Sequence, residues 1–225
     1  KVQAMTTITA TATTPTSITV TATTPVNISV AVLSTAIIPA AKVLATGQTT
    51  SYAANDDGDL EKGIPHSYTV LTTGQYAGTT NITLNGKTEA HSNECVLDNA
   101  TGLMWSRKTS LTVGPNSNGT LPWTVNGSGE GIYEYAAAAN AASLAGYTDW
   151  RIPNLFSLFT LSDMEATSGH PDSAAFPTLI NQVWTSSTVP NNTASAYNVA
   201  FTTGIPQQVP KTNTYVVRLL RGPTS

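Results

Sequence analysis

Gly146-Tyr147-Thr148-Asp149-Trp150-Arg151-Ile152-Pro153-Asn154 follows an alanine-rich stretch, residues 133–144, whose composition predicts a helix. A Trp favours burial, and an adjacent Asp and Arg lose hydration unless they find partners. The stretch therefore predicts a rigid corner. Trp150 enters the core, Asp149 and Arg151 tie neighbouring backbone, and Pro153 ends the segment. Gly146 stands where a helix C-terminus takes a left-handed residue, and Asn154 stands where a second helix over 155–161 is capped. With Trp105, these residues form a structural hub, and nothing in them points to catalysis.

Outward from the corner, residues 94–225 carry the clearest globular pattern. Cys95-Val96-Leu97-Asp98-Asn99-Ala100-Thr101-Gly102-Leu103-Met104-Trp105 reads as strand, tight turn, strand. Val183-Trp184-Thr185-Ser186-Ser187 and Ala196-Tyr197-Asn198-Val199-Ala200-Phe201 read as further strands, and residues 214–221 as one closing strand. Two helices among many short strands predict an α+β domain.

Residues 42–93 form a β-rich connecting region. Leu44-Ala45-Thr46-Gly47-Gln48 recurs as Leu71-Thr72-Thr73-Gly74-Gln75, and Thr79-Thr80-Asn81-Ile82-Thr83-Leu84-Asn85-Gly86 reads as a strand entering an Asn-Gly hairpin turn. Residues 1–41 are different again, with Lys1 as their one charged side chain. Ile8-Thr9-Ala10-Thr11-Ala12-Thr13-Thr14-Pro15 returns ten residues later as Ile18-Thr19-Val20-Thr21-Ala22-Thr23-Thr24-Pro25. The alternation reads as strand, with a Thr-rich stalk as the alternative. A strand pair with an apolar face cannot bury it alone, so residues 1–41 are expected to anchor or assemble the protein.

Composition narrows the function. Only 10% of the 225 residues are charged and the net charge is −3, which argues against nucleic acid or an anionic membrane surface as partner. No apolar run reaches the roughly 18 residues of a membrane helix, so no membrane insertion is expected. Cys95 is the only cysteine, which excludes an intrachain disulfide and a cysteine-rich metal site, and it reads as a small buried residue. No signal-peptide core follows Lys1, which favours a virion over a secreted protein.

Four pieces of residues 94–225 resemble, in order and spacing, the Lcl C-terminal domain family of bacteria and phages. They are Asp98-Asn99-Ala100-Thr101-Gly102-Leu103-Met104-Trp105, the helix with its Asp149-Trp150-Arg151 corner, Trp184-Thr185-Ser186-Ser187, and Val217-Arg218 with Arg221. The resemblance implies a C-type-lectin-like fold. That fold is shared by the variable ligand-binding proteins of diversity-generating retroelements, whose binding face lies between the Trp-Ser-Ser strand and the terminal Val-Arg strand. Here the interval is residues 188–214, and the resemblance implies a candidate ligand face of Asn191, Asn192, Tyr197, Asn198, Gln207, Gln208, Lys211, Asn213 and Tyr215, with Trp184 as core or pocket floor. Amide and aromatic side chains are adaptable contact groups; a polar surface loop is the plain alternative. Some relatives bind sulfated glycans, but Lys211 is the one cation of the interval, so a polyanionic ligand is not carried over.

Catalytic signatures are missing from the sequence. His66, His91 and His170 have no metal-ligand spacing, and no nucleophile elbow, phosphate loop or dinucleotide fingerprint occurs. The fold also hosts formylglycine-generating enzymes, whose chemistry needs paired cysteines, and Cys95 has no mate. No cofactor is expected, apart from Ca²⁺ at Asp56, Asp57 and Asp59, where clustered carboxylates around Gly58 suit an oxygen-seeking cation; a solvated acidic turn is the alternative.

The sequence thus predicts a non-enzymatic binding or structural module on a larger assembly. The first expectation is a phage virion protein (tail fibre, tail tip or head decoration) that binds a glycan or protein on a host surface. Its partners through residues 1–41 would be other copies of itself or other virion proteins. The alternative is a secreted bacterial surface adhesin or filament subunit, assembled through its N-terminal strands.

Overall fold

The computed structural model describes residues 43–107, 120–124, 127, 129–166, 172–177 and 182–222. The repeat segment, residues 1–41, lies outside the described residues. The elements in chain order are α1 (Asp57–Leu60), β1 (Tyr68–Leu71), β2 (Thr79–Leu84), β3 (Lys87–Ser92), β4 (Cys95–Asp98), β5 (Met104–Ser106), β6 (Thr120–Pro122), α2 (Ile132–Ala141), α3 (Leu155–Phe159), β7 (Gln182–Val189), β8 (Asn192–Ala200), β9 (Ile205–Pro210), β10 (Thr214–Val216) and β11 (Leu220–Arg221). Strands dominate and helices are few, an α+β architecture. No helix among the described residues is long and apolar enough to cross a membrane.

Two sheets and a hairpin organise these strands. Among the described residues one sheet has the order β1-β4-β5-β11, the other β6-β10-β7-β8-β9, and β2 pairs with β3. The β2–β3 turn is the predicted Asn85-Gly86, with both residues at positive φ (51° and 72°), the backbone that a two-residue hairpin demands and that Asn and Gly adopt most cheaply. The turn between β4 and β5 is held by buried Asp98, whose Oδ1 accepts from the Ala100 amide at 2.9 Å and whose Oδ2 accepts from the Thr101 hydroxyl at 2.5 Å. Among the described residues β9 is the outer strand of its sheet, and it carries Pro206 and Pro210, which lack an N–H to pair.

Three features depart from expectation. α2 buries Ile132, Tyr135, Ala136 and Ala139, one helical stripe, but it stops at Ala141 rather than Leu144. Ser143 and Ala145 turn left-handed (φ 53° and 52°), which buries Leu144 and Ala145 and presents the Leu144 carbonyl to the Trp150 indole N–H at 2.9 Å. The left-handed cost of about 1–2 kcal/mol per residue is offset by that burial and bond. The closing strand is also divided: Thr214–Val216 belongs to one sheet and Leu220–Arg221 to the other. Between them Val217, Arg218 and Leu219 cross from sheet to sheet, all buried. Third, β1 lies upstream of residue 94 yet pairs with β4, Val70 opposite Val96, so one sheet spans that position.

Buried side chains form two clusters. One joins Trp150, Trp184, Leu121, Ile132, Leu144, Ile82 and Leu219; the other joins Trp105, Phe176, Val183, Val199, Leu158 and Leu220. Because side chains alternate along a strand, Trp184 faces the first cluster and its neighbour Val183 the second.

Candidate functional site

The Asp149–Pro153 corner joins the two sheets. The Trp150 amide donates to Asn140 Oδ1 at 2.7 Å, and Asn140 Nδ2 donates to the Trp150 carbonyl at 2.8 Å, which locks the corner to α2. Arg151 and Leu220 exchange backbone bonds of 2.9 and 3.0 Å, extending the first sheet beyond β11. The Pro153 carbonyl accepts from the Ser186 amide at 2.7 Å, reaching β7 of the second sheet. Asn154 caps α3 as predicted, accepting from the Ser157 amide at 2.7 Å. Asp149 differs from expectation: it holds a side chain, Arg221 Nε at 2.7 Å, rather than backbone. That bond keeps its carboxyl below the usual range, while the Arg221 guanidinium lies 3.7 Å from the Tyr147 ring centroid. Trp105 and Trp150 are both buried in the core.

The β7–β9 hairpins and the β9–β10 turn carry the candidate ligand residues, but not on one surface. Asn191 and Asn192 are exposed at the β7–β8 tip, with Asn192 Nδ2 donating to Ser195 Oγ at 3.1 Å. Tyr197 and Gln208 are cross-strand partners on one face of the sheet. Asn198 and Gln207 are partners on the opposite face, where Gln182 Nε2 donates to Gln207 Oε1 at 3.0 Å. Two of the ten candidates are corrected. Trp184 is fully buried, with its indole N–H on the Leu121 carbonyl at 2.8 Å, so it is core and no pocket floor. Asn198 is also fully buried, because β8 is a middle strand between β7 and β9.

Lys211 meets two residues that sequence analysis missed, Trp123 directly and Tyr133 through it, while Asn213 and Tyr215 bond each other. Lys211 Nζ lies 3.8 Å from the Trp123 ring centroid, and the Trp123 amide donates to the Lys211 carbonyl at 3.0 Å. Trp123 is fixed further by its indole N–H on the Thr185 carbonyl at 2.7 Å and by Tyr133, whose ring meets it edge-on at 5.0 Å. Tyr133 is 40% exposed, and burial of the rest pushes its hydroxyl up to about 12, so it stays neutral across the physiological range. Asn213 Nδ2 donates to the Tyr215 hydroxyl at 3.1 Å, and Tyr215 packs edge-on against Trp184. The aromatic-cation group is thus drawn from the residue after β6, from α2 and from the β9–β10 turn. The β6–β10 pairing brings residue 123 beside the turn, and no local pattern announces a partner almost ninety residues away.

The acidic turn is corrected as a metal candidate. Asp56 caps α1 and accepts from the amides of Tyr52 (2.6 Å), Ala53 (2.8 Å) and Asp59 (2.9 Å), which holds its carboxyl below the usual range, the Tyr52 bond first. Asp57 binds the Thr46 hydroxyl, and Asp59 accepts from the Asn55 amide at 2.8 Å. Each carboxylate is turned to a different donor, and no group of three metal-ligating side chains converges among the described residues. Glu94 pairs with Arg107 at 2.6 Å. The glycine has a packing role: a Cβ on Gly58 would lie 2.1 Å from the Thr50 carbonyl oxygen.

These geometries define an α+β domain with a rigid two-sheet core and a polar, aromatic surface at its β6–β10 end. The model of the Lcl C-terminal domain family matches residues 94–221, more than half of the chain, and the chain belongs to that family. No curated protein matches it.

Proposed function

We propose that this protein is a non-enzymatic binding module with a C-type-lectin-like fold, carried on a phage virion as part of a tail fibre, tail tip or head decoration. Membership of a family of phage and bacterial surface-related domains supports this reading. So does the pairing of β5, near the start of the matched residues 94–221, with β11 at their end. The observation that carries it is the Lys211–Trp123–Tyr133 group, with Asn213 in the same turn as Lys211, on a core locked by the corner: rigid aromatic anchors and adaptable amides suit recognition. Residues 1–41 would fix the module to the assembly, and the ligand would be a glycan or protein on the host surface.

The second reading, a secreted bacterial adhesin or filament subunit, is favoured by the nearly uncharged Ile/Val-rich repeat of residues 1–41, suited to strand addition between subunits. Immunogold labelling of phage particles and host cells with an antibody to the intact chain separates the two. Label on particles, together with binding of the purified chain to host cells, supports the virion reading. Label confined to the surface of bacteria free of phage sinks it.

A further inference from the structure

We infer that the Lys211–Trp123–Tyr133 cluster is a binding site for a carboxylate-bearing sugar; this rests on the proposed binding function and names the ligand class of that surface. Among the described residues Lys211 has no ion-pair partner. All 13 acidic side chains of the chain lie among the described residues, and among those residues their ion pairs within 4.0 Å go to Lys87, Arg107 and Arg221, none to Lys211. Its ammonium instead sits over the Trp123 ring at 3.8 Å. A ring face attracts a cation but accepts few of its three N–H donors, so the remaining donors are open to an anion.

The surroundings select which anion. Trp123 is immobilised by two backbone hydrogen bonds, so the ammonium rests on a fixed platform rather than on a mobile stem. Tyr133 stands perpendicular to Trp123, at an interplanar angle of 87°, and offers its exposed ring as a second wall. Asn213, in the same turn as Lys211, brings an amide that also donates to the Tyr215 hydroxyl of β10. A pyranose presents an apolar C–H face, a rim of hydroxyls and, in a sugar acid, one carboxylate, which matches an aromatic wall, amides and a single ammonium. One cation does not suit a densely charged polymer, whose affinity grows with the number of charges neutralised.

The test is a ligand-observed NMR and calorimetric titration of the intact chain with methyl glucuronide, methyl glucoside and acetate. The glucuronide is expected to bind with saturation transfer to its ring protons, and the glucoside and acetate at least about tenfold more weakly, since a charge-assisted hydrogen bond or an apolar face is then missing. Lys211→Met should weaken glucuronide binding about tenfold or more, Lys211→Arg should retain most of it, and Tyr133→Ala should reduce the ring-proton transfer. Near-UV circular dichroism verifies that each variant keeps the native Trp environment. Equal binding of glucoside and glucuronide, equal binding of acetate, unchanged affinity in Lys211→Met, or no glucuronide binding at tens of millimolar each overturns the inference. If the chain still binds host cells while the glucuronide fails, the inference falls and the binding function stands. If the glucuronide binds but host cells do not, the reverse holds.

Discussion

Asn140→Ala tests the corner most directly. Asn140 makes both polar contacts of the Trp150 backbone, 2.7 Å to its N–H and 2.8 Å from its carbonyl, and Trp150 is only 2% exposed. Truncation leaves a donor and an acceptor unmet, at about 1–2 kcal/mol each for partly shielded groups. Alanine is the better helix former by about 0.6 kcal/mol, which offsets part of the loss. The net destabilisation is then about 1.5–3.5 kcal/mol. At roughly 2–4 °C per kcal/mol for a domain of this size, the melting temperature falls by about 3–14 °C. Urea unfolding followed by Trp fluorescence should show a lower midpoint with an unchanged slope, because the surface exposed on unfolding is the same. Asn140→Asp keeps the acceptor but sets a carboxylate oxygen against the Trp150 carbonyl, so it should be no more stable than the alanine variant at neutral pH. An alanine variant within about 0.5 kcal/mol of the natural chain refutes the claim that Asn140 holds the corner.

Three further outcomes are expected. Gly58→Ala should loosen residues 43–60 and cost about 1–3 kcal/mol, because the new methyl meets backbone at 2.1 Å; limited proteolysis should cut there first, and an unaltered cleavage pattern would contradict it. The Cys95 thiol, buried and pushed up to about 12, should resist Ellman's reagent at pH 8 until the chain is denatured, and rapid labelling of the native chain would show that it is accessible. Asp149 is held below its normal pKa by Arg221, so its contribution is present above the unfolded value near 3.9 and is lost as pH falls through the lower folded value; because the Asp149 carboxylate is more than half exposed, Asp149→Asn should cost only about 0–1 kcal/mol at pH 7 and nothing in strong acid, as read from urea midpoints at both pH values.

The local features read correctly from sequence are those whose physics is local. The Asn85-Gly86 turn, the Asn154 cap and the burial of Trp150 each follow from a residue's own backbone preference or hydrophobicity. The end of α2 did not follow, because Gly146 is the cheaper left-handed residue and the chain nevertheless turns at Ser143, where a distant requirement, the Trp150 indole, sets the stop. The acidic turn looked like a cation site because composition places three carboxylates together, whereas the fold sends each to a separate donor.

The sequence alone determined that the chain makes an α+β domain, because hydrophobic periodicity, turn residues and caps act over a few residues. It also determined the family, because the motifs around Trp105, Trp150 and Trp184 keep their order and spacing. Only the tertiary structure decided which candidate residues meet solvent and which meet each other. Trp184 and Asn198 went inward on middle strands, while Trp123 and Tyr133 came to Lys211 from remote parts of the chain. Strand order and register make those choices, and they are set by the packing of two sheets around a shared core, a property of the whole domain that no short stretch encodes.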